Sequence, residues 1–219
     1  MATTVFKKAG ETVFRRHDDP GAGCVLETLM NRDPWRSDLP WPEGFEGGIA
    51  HRLDVWTSGA IWVADDPAEL MAMREAFRGG LLEKRYLFVA ARDVPWNHNE
   101  VRRSVAHDKR RKKRMVVQRS ENTPHRGKWY PAHTRFQRVE DRLWRAVITT
   151  GVMHQIRVHA AFVGIPLLGD ALYGGGPSDT GFRLHHVGLR HTRTSEATDA
   201  VALPAWARAY TDASVGGFS

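Results

Sequence analysis

His51-Arg52-Leu53-Asp54, then Thr57-Ser58-Gly59, leads straight into the apolar run Ala60-Ile61-Trp62-Val63-Ala64. A charged, hydroxyl-rich turn opening onto a strand is a poor way to build a core. It is a good way to hold a reactive carboxylate, Asp54, at the rim of one. The plainer reading is a solvated loop, since an Arg and an Asp two residues apart are usually just that.

Outward from this stretch the local signals alternate between strand and helix. Residues 60 to 65 read as a strand. Asp66-Pro67-Ala68-Glu69 is a helix start: Asp66 caps, Pro67 suits the first turn, and Glu69 holds the capping-box position. Leu70, Met73 and Phe77 line one face of that helix, and Gly79-Gly80 ends it. Residues 84 to 91 and 143 to 150 read as strands. Residues 154 to 163 read as a helix stopped by Gly164 and Pro166. Residues 31 to 48, rich in Pro and Gly, read as loop. Strands and helices mix without regular alternation, so the expected class is α+β rather than a parallel α/β sheet.

The chain has 219 residues and a net charge of +7, enough length for one real core. Its one cysteine, Cys24, excludes an intramolecular disulfide and any multi-cysteine zinc site. The first eight residues lack the apolar run of a signal peptide, and the stretch 160 to 168 is too short and too broken to span a bilayer. A reducing cytoplasm and no membrane association are expected. Residues 101 to 128 carry eleven Lys or Arg against two acids, a local net of +9 that leaves 21 basic against 23 acidic residues elsewhere. Lys109 to Arg114 are six consecutive cations. Such a run is either a solvated loop or an arm that follows phosphates, where cations displace counterions from nucleic acid. Trp129 and Tyr130 close it, either stacking on a base or anchoring the segment to the core.

Further segments stand in a telling order: Lys84-Arg85-Tyr86; Lys113-Arg114-Met115-Val116-Val117; Pro131-Ala132-His133-Thr134; Gly151-Val152-Met153-His154-Gln155-Ile156-Arg157-Val158-His159; Gly164-Ile165-Pro166-Leu167-Leu168-Gly169-Asp170; Leu172-Tyr173-Gly174; Leu184-His185. Together with the stretch at 51 to 59 they resemble the RNA pseudouridine synthases of the RluA type, from about residue 51 to about residue 189. The resemblance implies one catalytic domain over residues 1–219, a long, mainly antiparallel mixed sheet with flanking helices and a central cleft. In it, residues 1–48 are a degenerate N-terminal part and 101–128 a basic insertion or arm, with no additional RNA-binding domain.

The implied activity is isomerisation of uridine in structured RNA, ribosomal or transfer, to pseudouridine. The alternative is a catalytically idle RNA-binding or RNA-folding protein that keeps the scaffold. Asp54 matches the family's catalytic nucleophile or base, since breaking a glycosidic bond needs a carboxylate close to carbon 1′. Arg157 matches the cation that holds this carboxylate ionised and oriented; a surface helix residue is the rival reading. Tyr86 matches the aromatic that stacks on the target base, against plain core packing. Arg52 is implied to help when the uridine leaves its helix, against a structural salt bridge. His51 joins Arg52 on the RNA-binding side, though with Thr57 and Ser58 it also suits a loop-shaping role. Arg110, Arg111, Lys112, Lys113, His154 and Gln155 are further RNA-binding candidates. Leu184 is implied as an apolar wall beneath the base, against ordinary core.

No cofactor motif is present, and the implied reaction neither oxidises anything nor consumes water, so none is expected. His154 and His159, five apart, point about 140° from each other on a helix, which is wrong for a shared metal. His185-His186 point apart on a strand, and no metal is expected. RNA is the expected partner, with no obligate protein partner and a monomeric state. Two departures from the family stand out. Its Lys-Pro-x-Gly turn is read as replaced by Asp18-Asp19-Pro20-Gly21-Ala22-Gly23, and Val152-Met153 stand where many members carry Arg-Thr before His-Gln.

Overall fold

A computed structural model describes residues 3–15, 23–177, 179, 181–194, 197–199 and 203–207. Along the chain lie β1 (Thr3–Lys7), α1 (Val25–Arg32), β2 (Ser58–Val63), α2 (Pro67–Arg78), β3 (Leu82–Val89), β4 (His98–Arg102) and β5 (Val105–Asp108). There follow β6 (Met115–Val117), β7 (His125–Tyr130), β8 (His133–Glu140), β9 (Leu143–Ile148), α3 (Gln155–Phe162), β10 (Leu184–His191) and β11 (Ala197–Asp199). The class is α+β, and every strand pair whose register is resolved is antiparallel. The chain divides into two compact units, residues 1–82 with 186–201, and residues 83–185 with 202–219.

In the first unit β1 pairs with β2, β2 neighbours β10, and β11 pairs with β10. The two faces of β2 have separate tasks, as alternation along a strand requires. Ile61 and Val63 join Val5, Val13, Ile49 and the α1 residues Val25 and Leu29 in one apolar cluster, against which Leu53 packs. Trp62 packs on the other cluster, where Leu70, Met73 and Phe77 of α2 gather with Ala50 and Ala64. Helix α2 starts as its sequence dictates: the Asp66 side chain accepts the Glu69 amide at 2.8 Å, and the Glu69 carboxylate accepts the Asp65 amide at 2.8 Å. Such a cap stabilises by about 1 kcal/mol.

Residues 31 to 48 are not wholly loop. Helix α1 ends at Arg32, and two 3-10 turns follow, Pro34–Asp38 and Glu46–Gly48. Arg36, 1% exposed, ties this segment together by donating to the carbonyls of Gly47 and Ala64 and to the Asp65 carboxylate.

The second unit has a four-stranded sheet in the order β3-β9-β8-β4. Phe88 and Phe136, edge to face with centroids 5.9 Å apart, pack within it beside the fully buried Trp144. A second sheet, β6-β5-β7, draws its strands mainly from the basic segment. Residues 101–128 thus carry strands as well as turns. The cause is apolar alternation inside the charge run. Val105, Met115 and Val117 cluster with Ala132, Val158 of α3 and Tyr173, leaving the cations on the outside. No helix among the described residues is long and apolar enough to cross a membrane.

Candidate functional site

In the first unit, Asp54 begins a tight turn closed by the Thr57 amide on the Asp54 carbonyl at 3.0 Å. Its side chain is half-buried and that of Arg52 is exposed. Beneath the turn lies a residue that no sequence motif singled out. Lys7, at the end of β1, is fully buried, and its ammonium donates to the carbonyls of Val55 (2.7 Å), Thr57 (2.7 Å) and Lys8 (3.0 Å). Burial pulls its pKa down to about 8, opposed by the charges of Glu11 and Asp54. The Gly10 amide adds a further bond to Val55 O at 2.9 Å.

Lys7-Lys8-Ala9-Gly10 therefore shows the Lys and Gly spacing of the family turn, with Lys8 in place of Pro. The turn expected at Asp18 falls largely on residues outside those described. The signal that could have found it was Lys7 in an alternating strand, Val5-Phe6-Lys7, on the buried side.

His51, expected at RNA, is buried. Its Nε2 accepts the Trp62 amide at 3.1 Å, and its ring meets those of Phe77 and His186 edge-on. The ring thus braces the strand behind the turn, which agrees with the loop-shaping reading and leaves Arg52 as the member of the pair that faces solvent. Gly59 has φ of 128°, and a Cβ there would lie 2.2 Å from the His186 carbonyl oxygen. Only glycine lets β2 approach β10 this closely, a physical reason for glycine in Thr57-Ser58-Gly59.

In the second unit, Tyr86 lies on β3 opposite Ala146 and is buried, as is Leu184 at the start of β10. Arg157 on α3 makes a two-point contact with Asp170, Nε to Oδ2 at 2.7 Å and Nη2 to Oδ1 at 2.9 Å. Its guanidinium also lies over the rings of Tyr173 (5.1 Å) and Phe182 (5.3 Å). Asp170 is almost fully buried and holds a planar fork in one orientation, a function that Lys could not replace. Asp170 was legible only as part of a motif; that its carboxylate seats Arg157 is a tertiary fact.

His154 caps α3 in the left-handed conformation, φ 56°, and its Nδ1 lies 2.9 Å from the Tyr173 hydroxyl. The same hydroxyl accepts the Met115 amide at 2.8 Å. Gln155, expected to touch RNA, is buried, and its amide is spent inside the protein. It donates to His133 O and Thr134 Oγ1 and accepts from Thr150 Oγ1 and the Val152 amide. His159 continues this chain, Nδ1 facing Thr134 Oγ1 at 2.8 Å and Nε2 facing the Arg103 carbonyl at 3.0 Å. Burial pushes His159 down to about 4, against the pull of the Arg103 carbonyl. Its ring is neutral and structural.

The six cations form the turn between β5 and β6. Lys109, Arg110, Arg111, Lys112 and Lys113 are exposed, and Arg114 is half-buried over the Tyr173 ring. Asp108 organises them. Its Oδ1 accepts the amides of Arg110 (2.8 Å) and Arg111 (3.0 Å). Burial works to raise the Asp108 carboxyl, but those amides and the charges of Arg114 and Arg111 outweigh it, so it sits below the ordinary carboxylate value. Trp129 stacks on His125 with centroids 4.3 Å apart, and Tyr130 underlies the Lys128 ammonium. Both aromatics are half-buried within the sheet, which supports anchoring.

A family model described as RNA pseudouridylate synthase matches residues 4–162. RNA pseudouridine synthase 2, chloroplastic, of Oryza sativa subsp. japonica is 33% identical over 138 residues, covering 58% of this chain and 29% of the rice protein. Ribosomal large subunit pseudouridine synthase D of Yersinia pestis is 32% identical over 165 residues, covering 72% of this chain and 47% of that protein. The chain thus spans less than half the length of these two relatives. In structure it is similar to human RNA Pseudouridylate Synthase Domain Containing 4, with a TM-score of 0.68 at 21% identity, covering 94% of this chain and 86% of that one.

Proposed function

Because the chain belongs to the RNA pseudouridylate synthase family, we propose that it converts uridine in structured RNA to pseudouridine. Ribosomal RNA is the first substrate to test, since relatives are named for the large subunit of the ribosome. The uracil leaves ribose carbon 1′ through N1, turns, and rejoins through carbon 5. One glycosidic bond breaks, a carbon–carbon bond forms, the carbon-5 proton is lost to solvent and N1 takes one up.

The observation that carries this reading is the Asp54 carboxylate, half-exposed on a turn that a buried ammonium and an amide pin from beneath. A carboxylate attacking carbon 1′, or steadying charge there, needs that kind of rigid seat. In this reading Tyr86 supplies an aromatic face to the base, Arg157 a cation that orients the carboxylate, and Leu184 an apolar wall. Arg52 assists extrusion of the uridine, which costs about a few kcal/mol of unstacking. The exposed cations Arg110, Arg111, Lys112 and Lys113 supply the non-specific attraction to phosphates. A monomer acting on RNA in the cytoplasm, without cofactor, belongs to the same reading.

Asp54→Asn tests it directly. The variant keeps shape and all cations, so RNA binding should stay within about tenfold, or about 1.4 kcal/mol. Tritium release from RNA labelled at uracil carbon 5 should vanish in single turnover. Substantial turnover by the Asn variant would remove Asp54 from the chemistry.

A further inference from the structure

The central positions of the Asp54–Thr57 turn are filled by Val55 and Trp56. Turn tips in water ordinarily carry Gly, Pro, Asn, Asp or Ser. Here the two side chains are apolar, and they are 36% and 61% exposed. The backbone below them is fixed, since Lys7 grips the carbonyls of Val55 and Thr57 and the Gly10 amide grips Val55 again. The six-membered ring of Trp56 is seated against Gly10, whose φ of 87° suits glycine. A Cβ added there would stand 3.3 Å from Cζ3 of the indole. A large aromatic is thus held on a rigid support with most of its surface in water. Exposed cations, Lys8 and Arg52, stand in the adjoining segments.

We propose that Trp56 is a stacking platform for an RNA base beside the target uridine. This rests on the reading of Asp54 as the reacting carboxylate. Asp54 and Trp56 share one four-residue turn, so a strand that delivers a nucleotide to Asp54 brings neighbouring bases within reach of the indole. An aromatic face accepts any base, and the flanking cations suit the phosphates on either side. Trp56 is therefore a positioning residue for substrate, additional to the groups that perform the chemistry.

The probe is a uridine-containing stem-loop RNA, titrated into the full chain. Loss of one base–aromatic stack weakens binding by about 5- to 150-fold. Trp56→Ala should show a loss in that range with an unchanged dependence on salt, because no phosphate contact is removed, and Trp56→Phe should recover most of it. RNA should also quench an emission component present in the wild type and missing from Trp56→Phe. Trp56→Ala binding within twofold of wild type would overturn the proposal, as would a loss that appears only as a flatter salt dependence. Asp54→Asn should retain the full Trp56 effect on binding. Absence of tritium release from the wild type with that effect intact would reject the proposed reaction and leave stacking standing; tritium release without any Trp56 effect would reject stacking alone.

Discussion

Replacing Lys7 by Met removes an ammonium buried against three carbonyls and should change how stability responds to alkali. In the folded protein the Lys7 pKa is about 8, against an ordinary value of 10.5. The unfolded chain therefore holds the Lys7 proton over a window in which the folded chain has released it. Stability rises with pH wherever the unfolded state binds more protons, so wild-type stability gains from this group between pH 8 and pH 10.5. At about 1.4 kcal/mol per unit, the gain is at most about 3 kcal/mol. Below pH 8 both states are protonated and the contribution is flat. Lys7→Met has no such group.

Urea unfolding of both proteins at intervals from pH 6.5 to 10.5 isolates the effect, because other titrating lysines, including Lys84, are common to the pair and cancel. The stability difference, wild type minus variant, should be constant below pH 8 and climb by about 2–3 kcal/mol by pH 10.5. A difference that stays flat across the range would mean that Lys7 is solvated and that the Asp54 turn has no buried ammonium beneath it.

Replacing Arg110, Arg111, Lys112 and Lys113 together by Ser should weaken RNA binding and flatten the logarithmic salt dependence by about two to three units, while single-turnover rates at saturation change far less. An unchanged slope would make the run a solvated turn. Arg157→Lys should cut turnover severely despite preserving charge, because an ammonium cannot reproduce the two-point contact with Asp170; normal turnover would show that the fork geometry is irrelevant. His159 and His185, each lowered by burial to about 4, should destabilise the fold as pH falls from 6.5 toward 4. The unfolded state takes up these protons first, so up to about 3 kcal/mol is lost per histidine, readable as a steepening loss of urea midpoint. A midpoint constant to pH 4.5 would contradict their burial.

Several features were decided by residues within a few positions of one another. The start of α2 is one, because Asp66, Pro67 and Glu69 settle their own hydrogen bonds within a single helical turn. The strand after Gly59, the stop of α3 near Gly164 and Pro166, and the cationic turn are others. The family resemblance was legible for the same reason: its motifs are short and contiguous. Helix α1 was missed because its N-cap, Cys24, offers no side-chain bond to announce it. The basic segment reads as an insertion or arm because charge dominates its composition. Only packing revealed that Val105, Met115 and Val117 face α3 and make it a sheet.

Tertiary structure alone decided which polar groups face inward. Lys7 is enclosed by carbonyls 48 and 50 residues away in the sequence. Gln155 and His51, both candidates for RNA contact, bond within the protein, Gln155 to Thr134 and Thr150 and His51 through Nε2 to the Trp62 amide, as its loop-shaping reading expects. Asp170 becomes the seat of Arg157 only when the segment after α3 folds back across 13 residues. Local sequence carries backbone preference and periodicity, which act over a turn or two. The partner that makes a buried charge tolerable lies far along the chain, and only folding brings it within 3 Å.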